Sequence, residues 1–132
     1  MRRYIGLCYD TCHQAVLFED PRASLDALSA AGIVVGKMQL SSALRLPYRQ
    51  TADLDALLAW DEPRFLHQSV VRGDDGRLHA YDDLRELRAA RAQGELPPQG
   101  EVRCHFHVPI HAAAMPPLAT TQDDMIAAAT HA

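Results

Sequence analysis

Leu7-Cys8-Tyr9-Asp10-Thr11-Cys12-His13 is an apolar run that ends in a carboxylate, with an imidazole three residues beyond. Read as a strand from Tyr4 to Tyr9, it places Asp10 at the C-terminal tip and His13 in the loop or first helical turn that follows. The two side chains then reach one point in space. An acidic oxygen and an imidazole nitrogen in that position suit a divalent cation such as Zn, Mn or Mg. The same pair also fits a structural reading, in which Asp10 caps the next helix and bonds to His13.

Outward from this stretch, Asp20-Pro21 opens a helix, with Asp20 as N-cap and Pro21 at the first helical position, and Gly32 lies past its end. Ile33 to Leu40 reads as the next strand. Its alternation sets Val35, Lys37 and Gln39 on one face and Val34, Gly36, Met38 and Leu40 on the other. Lys37 and Gln39 are candidates to bind an anionic or hydroxylated substrate. Ser41 to Pro47 reads as a polar loop before a helix from Thr51 to Trp60, capped by Thr51. Gly73-Asp74-Asp75-Gly76 is a turn signal that joins Phe65–Val71 and Arg77–Tyr81 as a hairpin, which interrupts the strand-helix alternation. Asp82 or Asp83 caps a third helix that Gly94 ends. Glu101 to Ile110 carries two distinct faces, with Val102, Cys104, Phe106 and Val108 on one and Arg103, His105 and His107 on the other. Thr121 caps a last helix.

Composition bounds the function. The 132 residues are 48% hydrophobic with a net charge of -4, which fits one soluble domain or part of a larger one. No run approaches the roughly 18 apolar residues of a membrane span, and Met1-Arg2-Arg3 leads into no signal-peptide pattern, so a cytoplasmic protein is expected. The acidic balance and the single lysine argue against a nucleic-acid surface, which needs clustered Lys and Arg. Cys8, Cys12 and Cys104 are an odd set without a secretory signal, so reduced packing thiols are expected rather than disulfides.

Strands alternating with helices point to βαβ units and a parallel sheet. Gly6-Leu7-Cys8-Tyr9-Asp10-Thr11-Cys12-His13-Gln14-Ala15-Val16, Gly36-Lys37-Met38-Gln39-Leu40-Ser41-Ser42-Ala43, Phe65-Leu66-His67-Gln68 and His105-Phe106-His107-Val108-Pro109, in this order, resemble the metabolite-traffic protein EboE family. That family belongs to the xylose isomerase-like TIM barrels, with sugar-phosphate isomerases and epimerases and the endonuclease IV type of repair enzyme. The resemblance implies an α/β fold in which residues 1–132 are a single incomplete (β/α)8 barrel domain, about the fifth strand to the helix after the seventh. It also implies that Asp10 and His13 bind a divalent metal, with Gln39 standing where such enzymes often have a histidine.

The expected function is metal-assisted handling of a small-molecule metabolite by isomerase-like or epimerase-like chemistry. His67, His105 and His107 would complete the metal shell or move protons, and Lys37, Gln39 and Arg103 would contact substrate, Arg103 through a phosphate. A non-catalytic metabolite-binding or transfer protein and an endonuclease IV-like phosphodiesterase are the alternatives. An isolated partial barrel would expose strand edges and self-associate.

Overall fold

The structure, a computed structural model, describes residues 5–132. Tyr4, where the sequence reading begins the first strand, and Met1-Arg2-Arg3 lie outside them. Strand β1 (Leu7–Asp10) runs straight into the short helix α1 (Thr11–Val16), and α2 (Pro21–Ala30) follows. Asp20 caps α2 as its sequence promised, its carboxylate accepting from the Ala23 N–H at 2.8 Å, and Gly32 leaves the helix at φ 69°. Strand β2 (Val35–Gln39) then pairs parallel with β1, closing a βαβ-type crossover.

The register of that pair shifts between Leu7–Val35 and Cys8–Lys37, so Gly36 is an extra residue in β2. The regular alternation expected over Ile33–Leu40 is therefore broken. Val35 and Met38 pack on the same core beside Tyr9, Leu25, Leu28 and Ala128.

Beyond β2 the chain leaves the expected plan. Ser42–Tyr48, expected as a polar loop, is strand β3. After a 3-10 turn (Thr51–Leu54) and the single-turn helix α3 (Asp55–Leu58) come β4 (Ser69–Gly73), β5 (Leu78–Tyr81) and α4 (Leu84–Ala92). The chain continues through β6 (Gly100–Val108), β7 (Ala114–Met115), β8 (Leu118–Thr120) and α5 (Gln122–His131). These later strands form one six-stranded sheet in the order β5-β4-β6-β3-β8-β7, and every neighbouring pair in it is antiparallel.

A partial (β/α)8 barrel is thus the wrong architecture for this chain. A barrel needs each strand parallel to the next with a helix between them, whereas among the described residues only β1 and β2 are parallel and β3 pairs antiparallel with both β6 and β8. The xylose isomerase-like barrel implied by the EboE resemblance falls with it, and so does a lumen for the histidines to face. The expected hairpin does form, as β4 and β5, but β4 begins only at Ser69, so Phe65–Gln68 lies outside the strand.

Both faces of the antiparallel sheet are covered. On one face, Leu44, Leu46 and Tyr48 of β3 and Val102 and Cys104 of β6 pack with Leu54, Leu57, Leu84 and Leu87. On the other, Ala43 and Val70 meet Cys12 and Val16 of α1. Pro47 is tolerated in β3 because β8 pairs only with Leu44 and Arg45, which leaves Pro47 a partner strand on one side alone.

Three helix caps differ from the sequence reading; at α4, Asp83 stands at the N-cap but its carboxylate accepts from the His67 N–H instead. Gln50, rather than Thr51, precedes the 3-10 turn, and the Asp53 carboxylate accepts from the backbone N–H groups of Arg49 and Gln50. Thr121 does stand at the N-cap of α5, but its hydroxyl accepts from the Ala43 N–H at 2.8 Å and ties the helix to β3.

Gly100 opens β6 between Gly73 of β4 and Tyr48 of β3. A Cβ there would lie 2.3 Å from the Arg72 carbonyl oxygen, a backbone atom that cannot swing aside. Gly100→Ala is expected to cost about 2–3 kcal/mol, as overpacking does, read as a lowered urea midpoint. An unchanged midpoint would show that the strands can part at that point without loss.

Candidate metal centre

The tip of β1 is held by hydrogen bonds to Ser41, two residues past the end of β2. Thr11 and Ser41 are locked reciprocally, with the Ser41 N–H donating to Thr11 Oγ1 at 2.9 Å and the Thr11 hydroxyl donating to the Ser41 carbonyl at 2.6 Å. Ser41 Oγ then donates to Asp10 Oδ1 at 2.7 Å, and the same oxygen accepts from the N–H groups of Cys12 at 3.0 Å and His13 at 3.5 Å. Asp10 is therefore the N-cap of α1 through one oxygen. Its other oxygen, Oδ2, stands 3.9 Å from His13 Nε2. The capping and ligand readings of this aspartate are compatible, because each uses a different oxygen.

Burial pushes the Asp10 carboxyl up, but the Ser41 hydroxyl, the Cys12 N–H and His13 more than reverse this and hold it below the usual carboxylate range. It is ionised at neutral pH.

The two-faced pattern of β6 brings the remaining groups. Val102, Cys104 and Val108 point into the large core, so Arg103, His105 and His107 lie on the face that α1 covers. The His13 and His105 rings sit 4.4 Å apart, and His105 Nε2 and His107 Nε2 are hydrogen-bonded at 3.0 Å. Two sets of ligand atoms fall within 4.8 Å of one another, Asp10–His13–His107 and Cys12–His105–His107. Adjacent ligands of a tetrahedral zinc ion are about 3.3 Å apart, given bonds of about 2.0–2.1 Å. Small side-chain movements close either set. His13 and His107 are exposed, so the first set keeps an open side for water or a ligand.

Burial, with His13 and His107 alongside, pushes the His105 imidazole down to about 4, so the ring is neutral at pH 7. The unfolded chain, with an ordinary histidine near 6.5, binds the proton that the folded protein refuses. Stability is thus complete above about pH 6.5 and falls as the pH drops towards 4. Allowing for the partly solvated ring, the loss is about 2 kcal/mol. Urea midpoints at pH 7 and pH 4.5 check it, and His105→Gln should show a smaller difference between them than the native chain does.

The other candidate residues are placed apart from this cluster. Gln39 pairs with Asp10 in register, and its carbonyl accepts from Thr11. Lys37 is exposed and lines a cleft of ≈ 620 Å³ with Ile33, Val34 and His131, which contains none of Asp10, His13, His105 and His107. His67 is buried, stacks on Phe106 at 3.9 Å and faces the His105 carbonyl through Nδ1, while its Nε2 has no partner among the described residues. Arg103 is fully engaged, donating to Glu101 at 2.7 Å, to Asp124 at 2.8 Å and to the Ala15 carbonyl at 2.8 Å, with its guanidinium 4.2 Å from the Phe18 ring centre.

Two members of the site were not singled out from the sequence. Ser41 carries a faint signal, because it stands two residues past the end of one parallel strand, beside the tip of its neighbour. Cys12 was assigned to packing, and only the antiparallel return of β6 brings it to the histidines. No family model matches the chain, and no match to it was found among curated proteins or solved structures.

Proposed function

We propose that the chain binds a divalent transition-metal ion through Asp10 Oδ2, His13 and His107, and uses it on a small hydroxylated or carbonyl-bearing metabolite in a metal-assisted isomerisation or epimerisation. The observation that carries this reading is the convergence of a carboxylate, ionised and fixed by three donors to its other oxygen, with two exposed imidazoles. Two imidazoles and one carboxylate form a common ligand set for Zn²⁺ or Fe²⁺ that leaves coordination positions open. Chelated vicinal oxygens would be polarised by the cation, which acidifies the adjacent C–H bond. His105, neutral and next to His107, is placed to accept or relay a proton, although its low basicity makes it a weak base.

The test is proton exchange. The Zn²⁺-loaded protein is incubated with a panel of α-hydroxy aldehydes and ketones in deuterated water and followed by NMR. Deuterium incorporation that disappears in Asp10→Asn supports the proposal, whereas exchange no faster than with free Zn²⁺ contradicts it. A second reading, binding of a metabolite without turnover, is favoured by one observation: burial beside His13 and His107 leaves His105 a weak base for proton abstraction. Ligand-dependent tightening of Zn²⁺ without exchange identifies that case.

A further inference from the structure

The two ligand sets differ in chemical character. Asp10–His13–His107 offers oxygen and nitrogen from the solvent side, while Cys12–His105–His107 replaces the carboxylate with a sulfur that is fully buried beneath the histidines. We infer that Cys12, His105 and His107 form a second, inner ligand set that takes a soft monovalent cation, Cu(I), in competition with the divalent ion of the outer set. The inference rests on the metal-centre reading above for the competition, and on the grouping of Cys12 with His105 and His107 for the copper.

Several observations carry it. The sulfur lies within 4.8 Å of the ligand atoms of both histidines, and its sole hydrogen-bond contact among the described residues is a long 3.8 Å approach to the Phe106 carbonyl. No strong interaction therefore has to be broken when it turns to a metal. Thiolate and imidazole are the ligands that a soft cation selects, whereas a carboxylate suits a harder one. Cu(I) also accepts the low coordination number that a three-atom set can supply, and it needs none of the open positions on the outer side. His107 belongs to both sets, and a neutral imidazole has a single free lone pair. One ion at a time therefore holds His107. On binding, the Cys12 thiol releases its proton to solvent and the sulfur–metal bond forms, with no change of oxidation state. His107 is exposed and His105 half-buried, which gives the ion a path from the surface to the sulfur.

The experiment uses the full chain in a Cys8→Ser background, because Cys8 is exposed and would take copper by itself. Cu(I) and Zn²⁺ affinities are measured anaerobically, each against a competing chromogenic chelator. Cys12→Ser is expected to weaken Cu(I) by about 100-fold or more while Zn²⁺ changes less than about threefold, and Asp10→Asn should do the reverse. Unchanged Cu(I) affinity in Cys12→Ser overturns the inference. Should both Cys12→Ser and Cys12→Ala fail to fold, Asp10→Asn decides: retained Cu(I) with lost Zn²⁺ supports two sets, and parallel loss of both ions overturns them. Zn²⁺ that never binds the parent protein, beside Cys12-dependent Cu(I), sinks the proposed function and leaves the copper set standing.

Discussion

Replacing His107 with alanine is expected to abolish binding of both Zn²⁺ and Cu(I) while leaving the fold intact. His107 is the residue common to the two ligand sets, so its loss leaves each with a pair of donors. Removing a ligand should cost more than the 10–100-fold typical of residues that merely orient one, so an affinity loss beyond about 100-fold is expected. The ring is exposed near the end of β6, and its loss opens no cavity. The change in unfolding free energy should stay within about 0.5 kcal/mol. Equilibrium dialysis and urea unfolding of the same preparation check the two halves together. Metal binding lost along with the fold would mean that His107 is structural, and metal retained at native affinity would mean that the outer set is misassigned.

Arg103→Met should behave in the opposite way. The guanidinium joins three elements, through Glu101 in its own strand, the Ala15 carbonyl at the end of α1 and Asp124 in α5, and it packs against Phe18, whose other cationic neighbour is Arg72 at 4.4 Å. Phe18 itself holds a left-handed backbone at φ 59°, so its position depends on these contacts. Truncation leaves two carboxylates without their donor, while the Ala15 carbonyl keeps the Phe18 N–H at 3.0 Å. Breaking a buried charged network typically costs about 3–5 kcal/mol. Because Glu101 and Asp124 keep part of their surface in water, about 3 kcal/mol is expected here. Chemical denaturation measures it. A stable Arg103→Met protein that has lost affinity for a phosphorylated ligand would instead assign Arg103 to substrate.

The contrast between these two residues shows what the sequence could reveal. The alternation of β6 correctly put Arg103, His105 and His107 on one face, since period two follows from strand geometry and survives any choice of neighbours. The caps of α2 and the Gly73–Gly76 turn were legible for the same reason, being local chemistry. The partners of each strand were not. Leu44, Leu46 and Tyr48 alternate in β3 as a strand should, but Ser41-Ser42 and Pro47 gave the segment the look of a loop. With β3 unread, the alternation puts β6 in a parallel sheet, and the barrel is what the family resemblance adds to a βαβ opening that is real. The hairpin at β4–β5 was the visible sign against that plan.

The centre was half legible for a related reason. Asp10 and His13 are neighbours along the chain, so their meeting is set by one turn of helix. His107 and Cys12 meet only because β6 returns antiparallel beside β3 under α1, and Ser41 acts only because β2 ends beside β1. Arg103, His105 and His107 share a face yet differ in what covers them. Arg103 meets the acidic groups of α5 and its own strand, while His107 meets solvent. That difference depends on packing, which alternation alone does not encode.

The most direct measurement of the metal centre is equilibrium dialysis of the native chain against Zn²⁺ near pH 7, with bound metal determined by elemental analysis and Asp10→Asn and His107→Ala dialysed alongside. A single ion retained per native chain, and none above background in either variant, is the expected result. Equal zinc in all three proteins, at any level, would contradict a centre built on Asp10, His13 and His107.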